Sequence, residues 1–227
     1  MNNTLIKKRF SRSLQTYDRT ATVQQEMANI LVGLIPTDKD YNSILEIGCG
    51  TGFLTRELNK SIKYKHYTAN DIVENCNEYI QAIDTNITFL KGDIHTLRLE
   101  NKYDLIISNA VFQWFDTTDL LVKLRKCLNP NGVIAFSSFG EKNFQELKEI
   151  FNIGLEYTKF TAPIYENTIE LEFGTLHELL KHIQATGVNA ITDYQLTKGK
   201  LKQLEEQYLK TYRKIKLTYN PTYFLIK

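Results

Sequence analysis

The stretch Ile44-Leu-Glu-Ile-Gly-Cys-Gly-Thr-Gly-Phe-Leu-Thr-Arg-Glu-Leu58 most constrains the fold, because an apolar run passes through a glycine loop directly into helical spacing. Ile44, Leu45 and Ile47 suit a central strand buried on both faces, and Phe53, Leu54 and Leu58 recur at helical spacing. Between them Gly48, Gly50 and Gly52 form a G-x-G-x-G loop. Glycine lets the backbone take positive φ and lets a ligand lie against the main chain, while the following helix offers free N–H groups at its positive end. The arrangement implies a nucleoside-containing ligand; a βα turn that binds nothing is the alternative.

The glycine spacing bears on which nucleoside. A dinucleotide fingerprint would carry its third glycine one residue later than Gly52. Here, in addition, an acid, Glu46, stands two residues before Gly48. That spacing resembles motif I of the class I S-adenosylmethionine-dependent methyltransferases, whose loop packs against the cofactor's amino-acid end rather than a pyrophosphate. An NAD-dependent oxidoreductase is disfavoured by the spacing and by the lack of an assignable acid–base residue.

A chain of 227 residues suits one α/β domain with modest insertions. Its formal charge of +2 is too small to imply bulk nucleic-acid binding, and no nucleic-acid-reader motif is present. No membrane span is expected, and the polar start Met1-Asn-Asn-Thr4 lacks a signal-peptide pattern, so a cytoplasmic protein is expected. Cys49, Cys76 and Cys127 are far apart and His66, His95, His177 and His182 form no ligand motif, so reduced thiols and no metal are expected.

In chain order, residues 5–35 read as helical and end at Pro36, either as a lid over the ligand crevice or as packing on the sheet. Strands are expected over 43–47, 64–69, 87–91, 103–109 and 132–138, alternating with helices in a parallel sheet. Asp71 then falls at the carboxyl end of the second strand beside the loop, where a carboxylate can accept both ribose hydroxyls; capping the next helix is the other reading. Gly92-Asp93-Ile94 follows the third strand and is also ordinary turn chemistry. Ser108-Asn109 ends the fourth strand with aromatics behind it, an order that resembles the methyltransferases' post-strand-four segment, whose loop faces the methyl group; that implies Phe112 or Trp114 walling the site or presenting a π face to the sulfonium, with core packing the alternative for Trp114. Helices over 142–157, 175–186 and 200–213 follow, and Ile215–Tyr219 with Thr222–Ile226 suggest a closing β-hairpin around Asn220-Pro221.

Several segments carry a closer resemblance. Phe10-Ser-Arg-Ser-Leu-Gln-Thr-Tyr17 with Ala21 and Gln24, the glycine loop, Ser108-Asn109 with Gln113-Trp114, Ala185-Thr-Gly-Val-Asn-Ala190 and Leu217-Thr-Tyr219 are similar to the malonyl-[acyl-carrier protein] O-methyltransferases of biotin synthesis. The family more often has small residues where Ser13 and Leu14 stand, and the stretch from Phe160 to Phe173 has no recognisable counterpart, which leaves the acceptor pocket undefined.

The resemblance implies a Rossmann-like class I methyltransferase fold: a mostly parallel seven-stranded sheet with an antiparallel C-terminal strand and helices on both faces. Residues 1–36 form a helical lid, 43–138 the cofactor-binding core, 139–213 a helical substrate side and 214–227 the closing hairpin. It assigns Glu46, Gly48, Cys49, Gly50, Asp71, Ile72, Asp93, Ile94, Asn109 and Phe112 to S-adenosylmethionine, with Asp93 receiving the adenine amino group and the Ile94 N–H completing the base contact. Tyr17 and Arg12 are its catalytic candidates; simple packing for Tyr17 and a surface charge for Arg12 are the alternatives.

The implied reaction is methyl transfer to the carboxylate of a malonyl thioester on acyl-carrier protein, or on coenzyme A, giving S-adenosylhomocysteine. It calls for no general base, Cys nucleophile or catalytic His, since carboxylates are ionised near neutral pH. Acidic carrier proteins imply a basic surface, for which Lys7, Lys8, Arg9, Lys198, Lys200, Lys202, Lys210, Arg213, Lys214 and Lys216 are candidates. Another small-molecule acceptor, or a non-catalytic S-adenosylmethionine-binding scaffold, are the competing readings.

Overall fold

Strands buried on both faces explain why the sequence shows runs rather than alternation. β1 (Ser43–Ile47) pairs in parallel with β2 (His66–Asp71) on one side and β4 (Tyr103–Ser108) on the other. β3 (Thr88–Lys91) extends the sheet beyond β2, and β5 (Leu128–Phe139) beyond β4. Ile44, Leu105, Ile107, Val133 and Ala135 pack into a core on one face, and Leu45, Ile47, Ile106, Ile134 and Phe136 into a core on the other. The structure, a computed structural model, describes residues 10, 11, 14, 16–36, 39–115, 117–151, 160, 162–186 and 197–227.

Helix α1 (Thr22–Leu34) lies over the first face, burying Val23, Met27 and Leu31 at four-residue spacing against α2 (Phe53–Ser61) and β5. It stops because Ile35, preceding Pro36, is extended at φ −73° and ψ 135°. Residues 16–20 are also helical, and Ala21 leaves helical geometry at ψ 45°, between the two apolar runs of the helical segment expected over 5–35. α3 (Cys76–Ile83) joins β2 to β3, and α4 (Thr117–Arg125) precedes β5. Between β3 and β4 the alternation expected from sequence gives way to a turn, in which the Asp93 carbonyl accepts the N–H groups of Thr96 and Leu97.

α5 (Gln145–Phe151) covers part of the expected 142–157 helix, of which 152–157 lie outside the described residues. Past it, β6 (Tyr165–Glu166), β7 (Ile169–Phe173), α6 (Leu176–Ala185), α7 (Lys198–Tyr212), β8 (Ile215–Tyr219) and β9 (Pro221–Ile226) complete the order. Thr175 caps α6 and Thr197 caps α7, each hydroxyl accepting a main-chain N–H three residues on. The seven-stranded sheet runs β3-β2-β1-β4-β5-β9-β6, with β9 antiparallel to β5 and β6 antiparallel to β9.

The expected closing hairpin is not formed. Only Asn220 separates β8 from β9, too few residues to reverse a chain, and the two strands belong to different sheets. Instead β8 and β9 run on as one bent strand whose partner is the unplaced 160–173 stretch. Tyr223 faces Tyr165, and in unchanged register Tyr219 faces Ile169. The buried Asn220 side chain holds the bend, donating to Glu166 at 2.9 Å and to the Asn167 carbonyl at 3.0 Å. Among the described residues no helix is long and apolar enough to cross a membrane.

Candidate active site

The strand order reverses on either side of β1, which makes the carboxyl ends of β1 and β4 the crevice where an open α/β sheet takes a ligand. The glycine loop lies there. Gly48, Gly50 and Gly52 have φ of 71°, 53° and 84°. A Cβ on Gly48 would stand 2.5 Å from Val111 Cγ2, and one on Gly52 would stand 2.4 Å from Ile83 Cδ1. The loop is sewn to the neighbouring strand: Gly48 and Cys49 both donate to the Asn70 carbonyl, at 2.8 and 3.0 Å. Asn70 in turn donates through Nδ2 to the carbonyls of Leu90 and Gly92, at 2.7 and 2.9 Å. Within the loop, Thr51 is buried and its Oγ1 has no hydrogen-bond partner among the described residues. A tight glycine cradle with an orphaned hydroxyl fits a polar ligand laid against the main chain.

Two buried carboxylates brace this loop. Glu46 Oε2 accepts from Thr55 Oγ1 at 2.6 Å and from the Tyr67 hydroxyl at 2.5 Å, and burial pushes its pKa up to about 7 despite these bonds. Glu46 therefore ties β1 to α2 and β2 from inside the core. Asp71 Oδ2 accepts the Gly50 N–H at 3.0 Å and Oδ1 accepts the Val73 N–H at 2.8 Å. Burial raises its pKa, and these main-chain donors pull it back. The Cys76 thiol and the Ile72 N–H also favour the Asp71 carboxylate, so the residue is held at the loop by several donors at once.

Cys49 is buried and its thiol is pushed up by burial, then by the charges of Asp71 and Glu46, which keeps it protonated. Ile72 packs half-buried on the core. Asp93 Oδ1 accepts the His95 N–H at 3.0 Å, and the buried Ile94 gives its carbonyl to Lys123 Nζ at 2.7 Å. That pair sits at the end of β3, on the same edge as Asp71. Among the described residues no group of three or more His, Cys, Asp or Glu could hold a metal ion.

Beyond β4 the structure redirects two residues. Asn109 Nδ2 donates to the Gln24 carbonyl at 2.9 Å and Oδ1 accepts from Ser137 Oγ at 2.7 Å, so this side chain straps α1 to β5. Phe112 is fully buried, not open to the crevice. Its ring stacks on Phe136 at 4.3 Å between centroids, because the short 3-10 turn Phe112–Trp114 aims it at the second core, where Phe136 offers a parallel aromatic face. Trp114 packs half-buried against the first core.

The N-terminal residues roof the loop. The Phe10 ring lies 3.1 Å from where a Cβ on Gly50 would be. Tyr17 meets Phe10 edge-on at 5.2 Å and stacks on Phe53 at 5.6 Å. Burial, then the charges of Asp18 and Asp71, raises the Tyr17 phenol. Arg56 donates to the Thr51 carbonyl at 2.9 Å and reaches Asp18 at 3.4 Å, linking loop to roof. Arg12 lies outside the described residues. Sequence reasoning left Thr51, Arg56 and Gln24 without a role. Gln24 had a signal, its place in the N-terminal pattern, but Thr51 and Arg56 had only their proximity to the loop.

A methyltransferase-domain family model matches residues 44–132. YcgJ protein from Bacillus subtilis shares the fold, with a TM-score of 0.61 at 10% identity over 88% of this chain and 97% of its own. The DhpI-SAH complex does so with a TM-score of 0.52 at 19% identity over 62% of this chain and 72% of its own. Sheet order, glycine loop and these matches define a class I S-adenosylmethionine-dependent methyltransferase. The malonyl-[acyl-carrier protein] O-methyltransferase of Calditerrivibrio nitroreducens is 35% identical over 97% of this chain and 95% of its own. The one of Chlorobium luteolum is 32% identical over 98% and 94%. The chain belongs to the malonyl-[acyl-carrier protein] O-methyltransferase family.

Proposed function

We propose that the protein transfers a methyl group from S-adenosylmethionine to the free carboxylate of a malonyl thioester on acyl-carrier protein, in the cytoplasm, as an early step of biotin synthesis. The observation that carries this reading is the near-full-length match to relatives whose names state that acceptor. The whole chain is read as a single methyltransferase domain.

S-adenosylmethionine, when bound, supplies a methyl group on a sulfonium cation. The main chain of Gly48, Cys49 and Gly50, with the Thr51 hydroxyl, would hold its amino-acid end; Asp71, at the tip of β2, would take its ribose, and Asp93 with Ile94 its base. The acceptor carboxylate is already ionised near neutral pH, so no residue need remove a proton. What the protein must supply is alignment and a dry site, and juxtaposition alone lowers such barriers by about 7–11 kcal/mol in favourable cases. Phe10, Tyr17 and Phe53 form the apolar roof suited to that task.

For the carrier, the exposed cations of α7, namely Lys198, Lys200, Lys202 and Lys210, are the face best suited to an acidic partner. Lys214 and Lys216 are engaged by Glu170, and Lys214 also by Glu172, which leaves them weaker candidates. Lys7, Lys8 and Arg9 lie outside the described residues.

The test is methyl transfer by the full chain to malonyl-carrier against acetyl-carrier, which lacks the carboxylate. Product from the first alone is expected. Methylation of neither overturns the acceptor, and failure to retain S-adenosylhomocysteine overturns the cofactor.

A further inference from the structure

Two buried polar atoms belong to residues that adjoin the strap formed by Asn109. The Gln24 side chain, on α1, is 3% exposed and its Oε1 has no partner among the described residues; Tyr223, on β9, is fully buried and its hydroxyl likewise has none. Asn109 connects their surroundings. It donates to the Gln24 carbonyl and accepts from Ser137, and Tyr223 is the residue directly opposite Ser137 across the β5–β9 pair, hence on the same sheet face. This face is at the carboxyl ends of β4 and β5, beside the crevice.

A buried hydroxyl and a buried amide oxygen left unpaired are each unfavourable, so such atoms are rarely left without a use. Their chemistry selects what completes them. Burial, the Glu26 charge and the neighbouring Tyr165 hold the Tyr223 phenol protonated, so it is a donor, whereas Gln24 Oε1 can only accept. The Glu26 charge would repel a carboxylate placed at this phenol. A secondary amide offers one acceptor and one donor.

We propose that Tyr223 and Gln24 bind an amide in the arm that carries the methyl acceptor: the Tyr223 hydroxyl donates to the amide carbonyl and Gln24 Oε1 accepts the amide N–H. This rests on the acceptor reading above, a malonyl thioester on a pantetheine-type arm. The subsite holds the tether and leaves the reacting carboxylate free of hydrogen bonds that would blunt it as a nucleophile.

The experiment compares two acceptors on wild type, Tyr223→Phe and Gln24→Leu: malonyl-coenzyme A, whose arm contains amides, and S-methyl malonyl thioester, which has none. Each variant should raise KM for malonyl-coenzyme A about tenfold with kcat little changed, and leave kcat/KM for the truncated thioester as in wild type. Because the hydroxyl is unpaired in the free protein, Tyr223→Phe should not lower the melting temperature. Equal losses on both acceptors, no loss on either, or a lowered melting temperature overturns the subsite while leaving the methyl-transfer reading intact. A wild-type enzyme inactive on malonyl-carrier as well as on both thioesters overturns the two together.

Discussion

Asp71 Oδ2 accepts the main-chain N–H of Gly50 at 3.0 Å, so the tip of the second strand fixes the middle of the glycine loop. The other oxygen accepts the Val73 N–H, and both contacts are buried. Asp71→Asn would set an amide NH2 against one of these N–H groups, donor against donor. Loss of such a buried bond costs about 1–3 kcal/mol, and displacement of the loop should weaken S-adenosylhomocysteine about tenfold or more. Calorimetric titration of the variant checks this, and an unchanged Kd would separate Asp71 from the cofactor.

Glu46 should make stability fall as pH rises. Its folded pKa is about 7 against 4.5 for the free group, because burial disfavours the charge. Between those values the folded state binds more protons than the unfolded chain, so stability declines through the interval and the loss is complete above pH 7. The shift corresponds to about 3 kcal/mol. Glu46→Gln keeps an oxygen to accept from Thr55 and Tyr67 without a charge. Denaturant titrations at pH 5 and pH 8 should show its advantage over wild type growing with pH; a constant difference would mean that Glu46 titrates normally.

Gly48→Ala should be more damaging than Gly52→Ala, although both residues have positive φ. The new methyl group at Gly48 would meet Val111 at Cγ2, Cγ1 and Cβ, at 2.5, 2.8 and 3.1 Å, and a β-branched side chain turns only with difficulty. At Gly52 the closest atom is Ile83 Cδ1, the end of a chain that can swing aside. Beyond the backbone penalty of about 1–2 kcal/mol common to both, Gly48→Ala should lose about 1–3 kcal/mol more. Val111→Ala in the same chain should recover most of that excess, which a double-mutant cycle measures.

What was legible in the sequence was what local pattern determines. β1 and β4 read as strands because successive residues bury into opposite cores, and Asp71 could be placed beside the loop because parallel topology puts the end of β2 there. The bent ribbon of Tyr165–Phe173 against Ile215–Ile226 was not legible, since its pairing is remote in sequence and its outer positions are charged, Glu170 and Glu172 meeting Lys214 and Lys216. Phe112 has the same aromatic character whether it faces a ligand or the core. Only the approach of Phe136, supplied by another strand, decides its direction.

Tyr17→Phe isolates one hydroxyl. The variant retains the ring that stacks on Phe53 and meets Phe10, so the roof over the loop should persist. Burial with the charges of Asp18 and Asp71 keeps the phenol protonated throughout the assay range, which makes it a hydrogen-bond donor and not a base. If it aligns the acceptor, kcat should fall about tenfold or more while the S-adenosylhomocysteine Kd changes by less than about threefold, and the pH–rate profile should keep its shape. Tyr17→Ala removes the ring as well and should weaken cofactor retention along with the rate. Equal kcat for Tyr17→Phe and wild type would leave Tyr17 a packing residue, with its ring sufficient to exclude water.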